Sequence, residues 1–190
     1  MSEVVLLRHG ETAWSAAGRH TGRTDVPLTA RGERQAKALA ATVHGRAFEL
    51  VLSSPLQRAA RTAELAGLRG IETDPDLQEW DYGDYEGLTT AEIQEHRPGW
   101  FLWRDGVEAG EALTDVAARA DRVLAVVRQA LRTGDVALVA HGHLLRVLAA
   151  RWVGLDARCG AHLALDTATV SVLGFEHAEP VIRRWNQSSS

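Results

Sequence analysis

Residues 4–14 read VVLLRHGETAW and residues 136–146 read VALVAHGHLLR. Each is a continuous apolar, partly β-branched run that stops at a His-Gly pair. Continuous rather than alternating hydrophobicity is the pattern of a strand buried on both faces of a parallel sheet. Two such strands that end alike predict that both His-Gly corners face one crevice, at the carboxyl ends of the strands, where open α/β sheets hold their ligands.

The intervening chain supports that arrangement. After the turn-rich loop GRHTGRTDVPL, Thr29 reads as an N-cap, and Gln35, Leu39 and Val43 carry a helix that stops at Gly45. In FELVLSSPLQRAARTAE, residues Leu50 to Leu52 form a strand, Ser54 reads as an N-cap, and Pro55 suits the first helical position, where its missing N–H costs nothing. The helix so started carries Arg58 and Arg61. From Asp74 to Gly110 the pattern becomes acidic and Trp-containing, with a short helix at Thr90 to His96, and is expected to lie over one end of the sheet as a lid. Thr114 or Asp115 then caps a long amphipathic helix through Val116, Ala120, Val123, Leu124, Val127 and Leu131, ended by Gly134. HLLRVLAARWVG predicts a helix, and TATVSVLGF and PVIRRWN predict late strands. The fold class is therefore α/β, a three-layer α/β/α sandwich with a mainly parallel central sheet. One domain is expected over residues 1–190, with a specificity segment over about 74–112 and a frayed tail over 187–190.

Composition narrows the chemistry. A net charge of −4 with no block of like charges opposes a nucleic-acid or membrane-surface role, so any anion specificity is local. The single cysteine, Cys159, excludes an internal disulfide. The first apolar run is too short for a signal peptide or a membrane span, which points to a cytoplasmic protein. Nothing in the chain opposes a homodimer.

Gathered at one sheet end, Arg8, His9, Arg58 and His141 would supply two fixed cations and two imidazoles beside helix N-termini. That set suits a tetrahedral dianion, so phosphate is the natural occupant. A neutral imidazole at its base is also a competent nucleophile toward phosphorus, with the cations taking up charge on the equatorial oxygens. An isolated histidine at a strand end is ordinarily structural, but Arg8 before His9 and Gly10 after it argue for function. His141 and His143 form an H-x-H pair, yet no carboxylate or cysteine is spaced to complete a metal shell. His143 is read as lining the pocket, Arg58 as functional and Arg61 as an exposed cation. Glu79, Asp81, Asp84 and Glu86 all compete for the role of an acid, and the residues alone do not rank them. Thr21 and Gly22 are candidate donors to the phosphate, through a hydroxyl and a backbone N–H, or else an ordinary turn. Trp100 and Trp103 are either lid packing or a sugar-contacting surface.

These blocks carry a resemblance. LLRHGETAW, SSPLQRAARTAE, LQEWDYGDYEG and VAHGHLLR, in that order over Val4 to Arg146, resemble the signature blocks of the histidine phosphatase superfamily, in its phosphoglycerate mutase-like branch. The resemblance implies that His9 becomes a phosphohistidine, that Arg8, Arg58 and His141 hold the phosphoryl group, that Glu79 donates a proton and later serves as base for water, and that no metal or other cofactor takes part. Within the superfamily the chain is most similar to small broad-specificity acid phosphatases. Mutases of the family usually carry Asn where this chain has Ser15, Trp where it has Arg23 and Asn where it has His143. They also use a longer insertion between the residues matching Glu79 and His141, which keeps water out. Ser15 and His143 join Thr21 and Gly22 as candidate substrate contacts.

The expected function is metal-independent hydrolysis of a small phosphorylated metabolite, such as a sugar phosphate. A mutase-type phosphotransferase and a non-catalytic phospholigand-binding module are the alternatives. A carboxyl titrating near 4.3 and an imidazole near 6.5, as in reference peptides, would place the pH optimum at roughly the acid side of neutrality.

Overall fold

In the computed structural model, residues 2–188 are described. The two apolar runs, β1 (Val4–Arg8) and β4 (Asp135–Ala140), are parallel neighbours at the centre of the sheet, with Val4 opposite Val136 and Arg8 opposite Ala140. Beside β4 lie β2 (Phe48–Ser53) and then β3 (Ile71–Thr73), both parallel. Beyond β1, β5 (Thr169–Glu176) and β6 (Glu179–Ser188) are antiparallel, which completes a six-stranded sheet of order β3-β2-β4-β1-β5-β6. The sheet is thus mainly parallel, as the continuous apolar runs predict.

Alternation along the central strands creates two cores, because successive side chains leave opposite faces. Val4, Leu6, Val136, Leu138 and Ala140 pack on one face, with α7 (Leu113–Ala130) and α8 (Gly142–Trp152) over them. Val5, Leu7, Ala137 and Val139 pack on the other, against α2 (Ala30–Ala38), α3 (Ala40–Val43) and α4 (Gln57–Leu65). Helices on both faces of one sheet give the α/β/α layering.

Several helix ends differ from the expectation. The helix capped by Thr29 is broken at Leu39 into α2 and α3, and Gly45 lies just past it at φ +76°. Ser54 and Pro55 do not open α4. The helix begins at Gln57, whose N–H donates to the Asp25 carboxylate at 2.8 Å, so a distant loop supplies the cap. The long helix starts at Leu113 after Ala112, with Thr114 and Asp115 inside its first turn. Its entry is held by Glu111, whose carboxylate accepts from Arg119 Nε at 2.6 Å and whose N–H donates to Asp81 O at 3.0 Å. At the C-terminus, Gln187 and Ser188 are not frayed: they pair with Val170 and Thr169 in β6, and Ser189 and Ser190 lie outside the described residues.

The helix α5 (Thr90–His96) forms where expected, with Thr89 and Glu92 in a capping box. Two short helices had no clear signal: α1 (Ala13–Ala16) and α6 (Leu102–Asp105). In the Trp-containing segment Leu77, Trp80, Tyr82, Ile93, Trp100 and Trp103 are buried in the same core as α7 and α8, so the segment is a packed wall.

Leu138 is fully buried at the centre of the sheet. Leu138→Ala is expected to cost about 2–5 kcal/mol of unfolding free energy through lost transfer energy and a residual cavity, measured by denaturant unfolding. A loss below about 1 kcal/mol would mean that this layer repacks freely.

Candidate active site

The register of β1 on β4 fixes the site. His9 N donates to Ala140 O at 3.0 Å and Ser54 N donates to Val139 O at 3.0 Å, so the ends of β1, β4 and β2 lie side by side. His9 and His141 follow on neighbouring strands, with ring centroids 5.1 Å apart. The two glycines after them answer different needs. A Cβ on Gly10 would meet Gly32 O at 2.4 Å, where α2 crosses the corner, whereas a Cβ on Gly142 would crowd the Arg8 guanidinium carbon at 3.2 Å. Gly10 therefore admits a helix, and Gly142 admits a cation over the start of α8.

His9 Nδ1 bonds to the Gly10 carbonyl at 2.7 Å, so that nitrogen carries the proton and Nε2 keeps its lone pair. Nε2 has no partner among the described residues, and the side chain lines a pocket of about 190 Å³ together with Arg8, Glu79, Gly142 and His143. Arg8 donates through one terminal nitrogen to Leu165 O, while its buried Nε lacks any partner. A buried guanidinium donor without an acceptor is costly, and an anion over the N-terminus of α8 would satisfy it.

Arg58 and His141 are fully buried and are not part of the pocket lining, although the His141 ring neighbours that of His9. Arg58 Nε donates to His141 Nδ1 at 3.1 Å, so His141 carries its proton on Nε2, which donates to Ser54 Oγ at 2.8 Å. The other Arg58 nitrogens donate to the carbonyls of Thr24 (2.9 Å), Thr21 (3.1 Å) and Gly22 (2.8 Å). Arg58 thus ties the loop after the first corner to the second histidine, and its charge meets carbonyls and an imidazole rather than a carboxylate.

Of the four competing acids, only Glu79 lines the pocket. Its Oε1 accepts from Trp80 N (3.0 Å) and Leu144 N (2.9 Å), and its Oε2 accepts from His143 N (3.0 Å). Two of these N–H groups belong to the first turn of α8, which favours a carboxylate at that place. Oε2 retains a free lone pair. Asp81 is paired with Arg23 at 2.8 Å, Asp84 is exposed, and Glu86 Oε1 is held by Gly22 N (2.8 Å) and Thr24 N (3.0 Å).

That last contact corrects the reading of Gly22 as a phosphate donor: its N–H is taken by Glu86, and it does not line the pocket. Thr21 does line it, although its hydroxyl donates to Arg19 O at 3.1 Å. Ser15 lines it too, with its hydroxyl engaged in a capping box with Thr12. His143 is at the pocket wall as expected. Arg61 pairs with Glu64 and Glu33 away from the site. Trp100 and Trp103 are buried packing residues: the Trp100 indole donates to Gly106 O at 2.9 Å, and Arg146 stacks over Trp103 at 4.7 Å. The wall also contains Arg19, His20, Tyr82 and Arg146, which the sequence reading did not assign. Arg146 had a usable signal, since it lies one helical turn after His143. Arg19 and His20 sit in an irregular loop with none. Among the described residues, no group of His, Cys, Asp and Glu is arranged to hold a metal ion, and no helix is long and apolar enough to cross a membrane.

The comparisons with known proteins agree with this geometry. Residues 4–188 match the Histidine phosphatase superfamily (branch 1). An acid phosphatase of Mycobacterium tuberculosis is 47% identical over 92% of this chain and 87% of its own. A solved structure of a Mycobacterium tuberculosis open reading frame product superposes with a TM-score of 0.95 at 41% identity, covering 100% of this chain and 99% of that one. A mycobacterial glucosyl-3-phosphoglycerate phosphatase in complex with VO3 superposes with a TM-score of 0.88 at 33% identity, covering 99% and 100%. The chain belongs to the histidine phosphatase superfamily and is a phosphatase of its phosphoglycerate mutase-like branch.

Burial, then the charges of Arg8 and Arg58, pushes His9 well below its ordinary titration range, and burial, then Arg58, His9, Arg119 and Arg8, does the same for His141. In the unfolded chain both take up a proton near about pH 6.5, so below that value the unfolded state binds protons that the folded state does not. Stability contributed by these neutral imidazoles is complete above about pH 6.5 and is lost as pH falls toward their lowered folded values. The unfolding free energy is therefore expected to fall between roughly pH 7 and pH 5, by up to about 1.4 kcal/mol per pH unit for each histidine, measured by denaturant unfolding across that range, with a shallower slope in His9→Ala. Equal slopes in the two proteins would contradict this origin.

Proposed function

We propose that the enzyme hydrolyses small phosphomonoesters, of the sugar phosphate kind, through a phosphohistidine on His9 Nε2 and without a metal. The observation that carries this reading is the pairing, in one pocket, of a histidine whose Nδ1 proton is held by Gly10 O with a carboxyl whose Oε2 has room for a proton.

In the first half-reaction the Nε2 lone pair attacks phosphorus and the ester P–O bond breaks. The departing alkoxide takes the proton of the Glu79 carboxyl. Arg8, with its unpartnered Nε, stabilises charge on the equatorial oxygens, and the buried charge of Arg58 and the Nε2–H of His141 add to the field. In the second half-reaction a water attacks phosphorus, Glu79 takes its proton, and the P–N bond returns its electron pair to His9.

His9 must be neutral to attack. Burial, then Arg8 and Arg58, displaces its titration well below the ordinary range, so acid conditions, which supply the proton that the leaving group needs, leave the nucleophile competent. The optimum therefore lies below pH 7. Glu79→Gln is expected to slow alkyl phosphates by roughly two to four powers of ten but p-nitrophenyl phosphate far less, because its leaving group needs little protonation. Equal losses on both substrates, or a leaving-group-dependent loss in Asp81→Asn instead, would remove Glu79 from the role. Vanadate, a five-coordinate mimic of the transition state, should inhibit strongly, and EDTA should leave the rate unchanged.

A further inference from the structure

His143 holds its imidazole in one defined state. Its Nδ1 is 2.6 Å from the Tyr82 hydroxyl, and Tyr82 is buried. The hydroxyl has no other partner among the described residues, so its proton has one acceptor, Nδ1. A neutral imidazole that accepts at Nδ1 carries hydrogen on Nε2. The reverse arrangement, with Nδ1–H donating to the phenol oxygen, would leave the buried phenol proton without an acceptor. Nε2 itself has no partner among the described residues, on a side chain that lines the pocket.

The position of this donor relative to Glu79 matters. His143 N donates to Glu79 Oε2 at 3.0 Å, and Nδ1 stands 3.9 Å from the same oxygen. The imidazole therefore stands beside the carboxyl oxygen that serves the leaving group. A substrate whose ester oxygen meets Oε2 presents the next carbon, and whatever that carbon bears, to His143.

We propose that His143 Nε2–H is a specificity-determining donor for an oxygen on the carbon next to the phosphate-bearing carbon, and that Tyr82 is a positioning residue that fixes the imidazole in that tautomer. The favoured substrates are phosphate esters of vicinal diols and hydroxy acids over plain alkyl esters. The proposal rests on Glu79 being the acid.

The surroundings oppose protonation of this ring. His143 is faced by Glu79 and Tyr82, by the rings of His20, Trp80 and Trp103, and by the charges of Arg146 and Arg8. Burial first, then Arg146, His20 and Arg8, push its titration well below the ordinary value. Without the Tyr82 proton, Nδ1 becomes free to take a proton and pair with Glu79 Oε2.

The test combines a spectrum with a substrate pair. Nitrogen-proton NMR of the histidine-labelled wild-type enzyme, assigned by the signals lost in His143→Leu, should show His143 as the Nε2–H tautomer from pH 7 to 5, at roughly the low end of histidine titration. In Tyr82→Phe the tautomer should become mixed and the acid limb of the pH profile for glycerol 1-phosphate should move toward neutrality. Wild type should prefer glycerol 1-phosphate to propyl phosphate in kcat/KM, and His143→Leu should reduce that preference about three- to tenfold, the worth of one hydrogen bond. His143→Gln, which can place an amide N–H near the same point, should restore most of it. An Nδ1–H tautomer in wild type, or an unchanged preference in His143→Leu, would overturn the proposal. The tautomer is read without turnover, so a failure of the Glu79 assignment, seen in the leaving-group comparison, stays distinguishable from a failure here.

Discussion

The parallel register that places Arg8 opposite Ala140 governs the rest of the molecule. It puts the ends of β1 and β4 level, so that one residue further along each strand there is a histidine, and the two rings come within 5.1 Å. A slip by one residue would turn Arg8 and His9 to exchanged faces, burying each in the wrong core, because side chains alternate along a strand. The register is held by apolar layers on both faces, and by backbone bonds that continue past the strand: His9 N to Ala140 O, and Ala168 N to His9 O, each at 3.0 Å. The nucleophile candidate thus has its main chain clamped from both sides.

The second organising feature is an excess of buried positive charge over nearby acid. Arg58 is fully buried with carbonyls and an imidazole as its partners, and Arg8 has an unpartnered buried nitrogen. Buried charges ordinarily require a partner, and an anionic ligand would supply one here. Burial first, and then these same cations, push the titration of His9 and His141 well below the ordinary range, favouring the neutral ring whose lone pair a nucleophile needs and with which His141 Nδ1 accepts from Arg58. Among the described residues, Glu79 is the one carboxylate in the pocket lining, and three backbone N–H groups hold it.

The fold was legible where a local pattern and a tertiary role coincide. Val4 to Leu7 and Val136 to Ala140 are buried on both faces, and their continuous apolar character shows it. Helix starts were less legible, because distant groups decide them: Asp25 caps α4 at Gln57, and Glu111 with Arg119 sets the entry to α7. The strand β3 is three residues long and carries no period. Around the site, the placement of Arg8, His9 and His141 at strand ends was readable from the apolar runs that precede them. Glu79 was not separable from Asp81, Asp84 and Glu86 without the family resemblance, since their partners Arg23, Gly22 and Thr24 come from a loop far back in the chain. The same long-range pairing hid that Gly22 N–H belongs to Glu86, and that Tyr82 fixes the ring of His143.

The central claim is that His9 Nε2 is the atom that accepts the phosphoryl group. The most direct measurement is rapid quench into alkali of wild-type enzyme with labelled substrate at acid pH, followed by identification of the labelled residue and of the nitrogen it occupies. The account predicts an acid-labile, alkali-stable label on Nε2 of His9, absent in His9→Ala along with turnover. Label on Nδ1, label on another residue, or hydrolysis continuing at near wild-type rate in His9→Ala would contradict it.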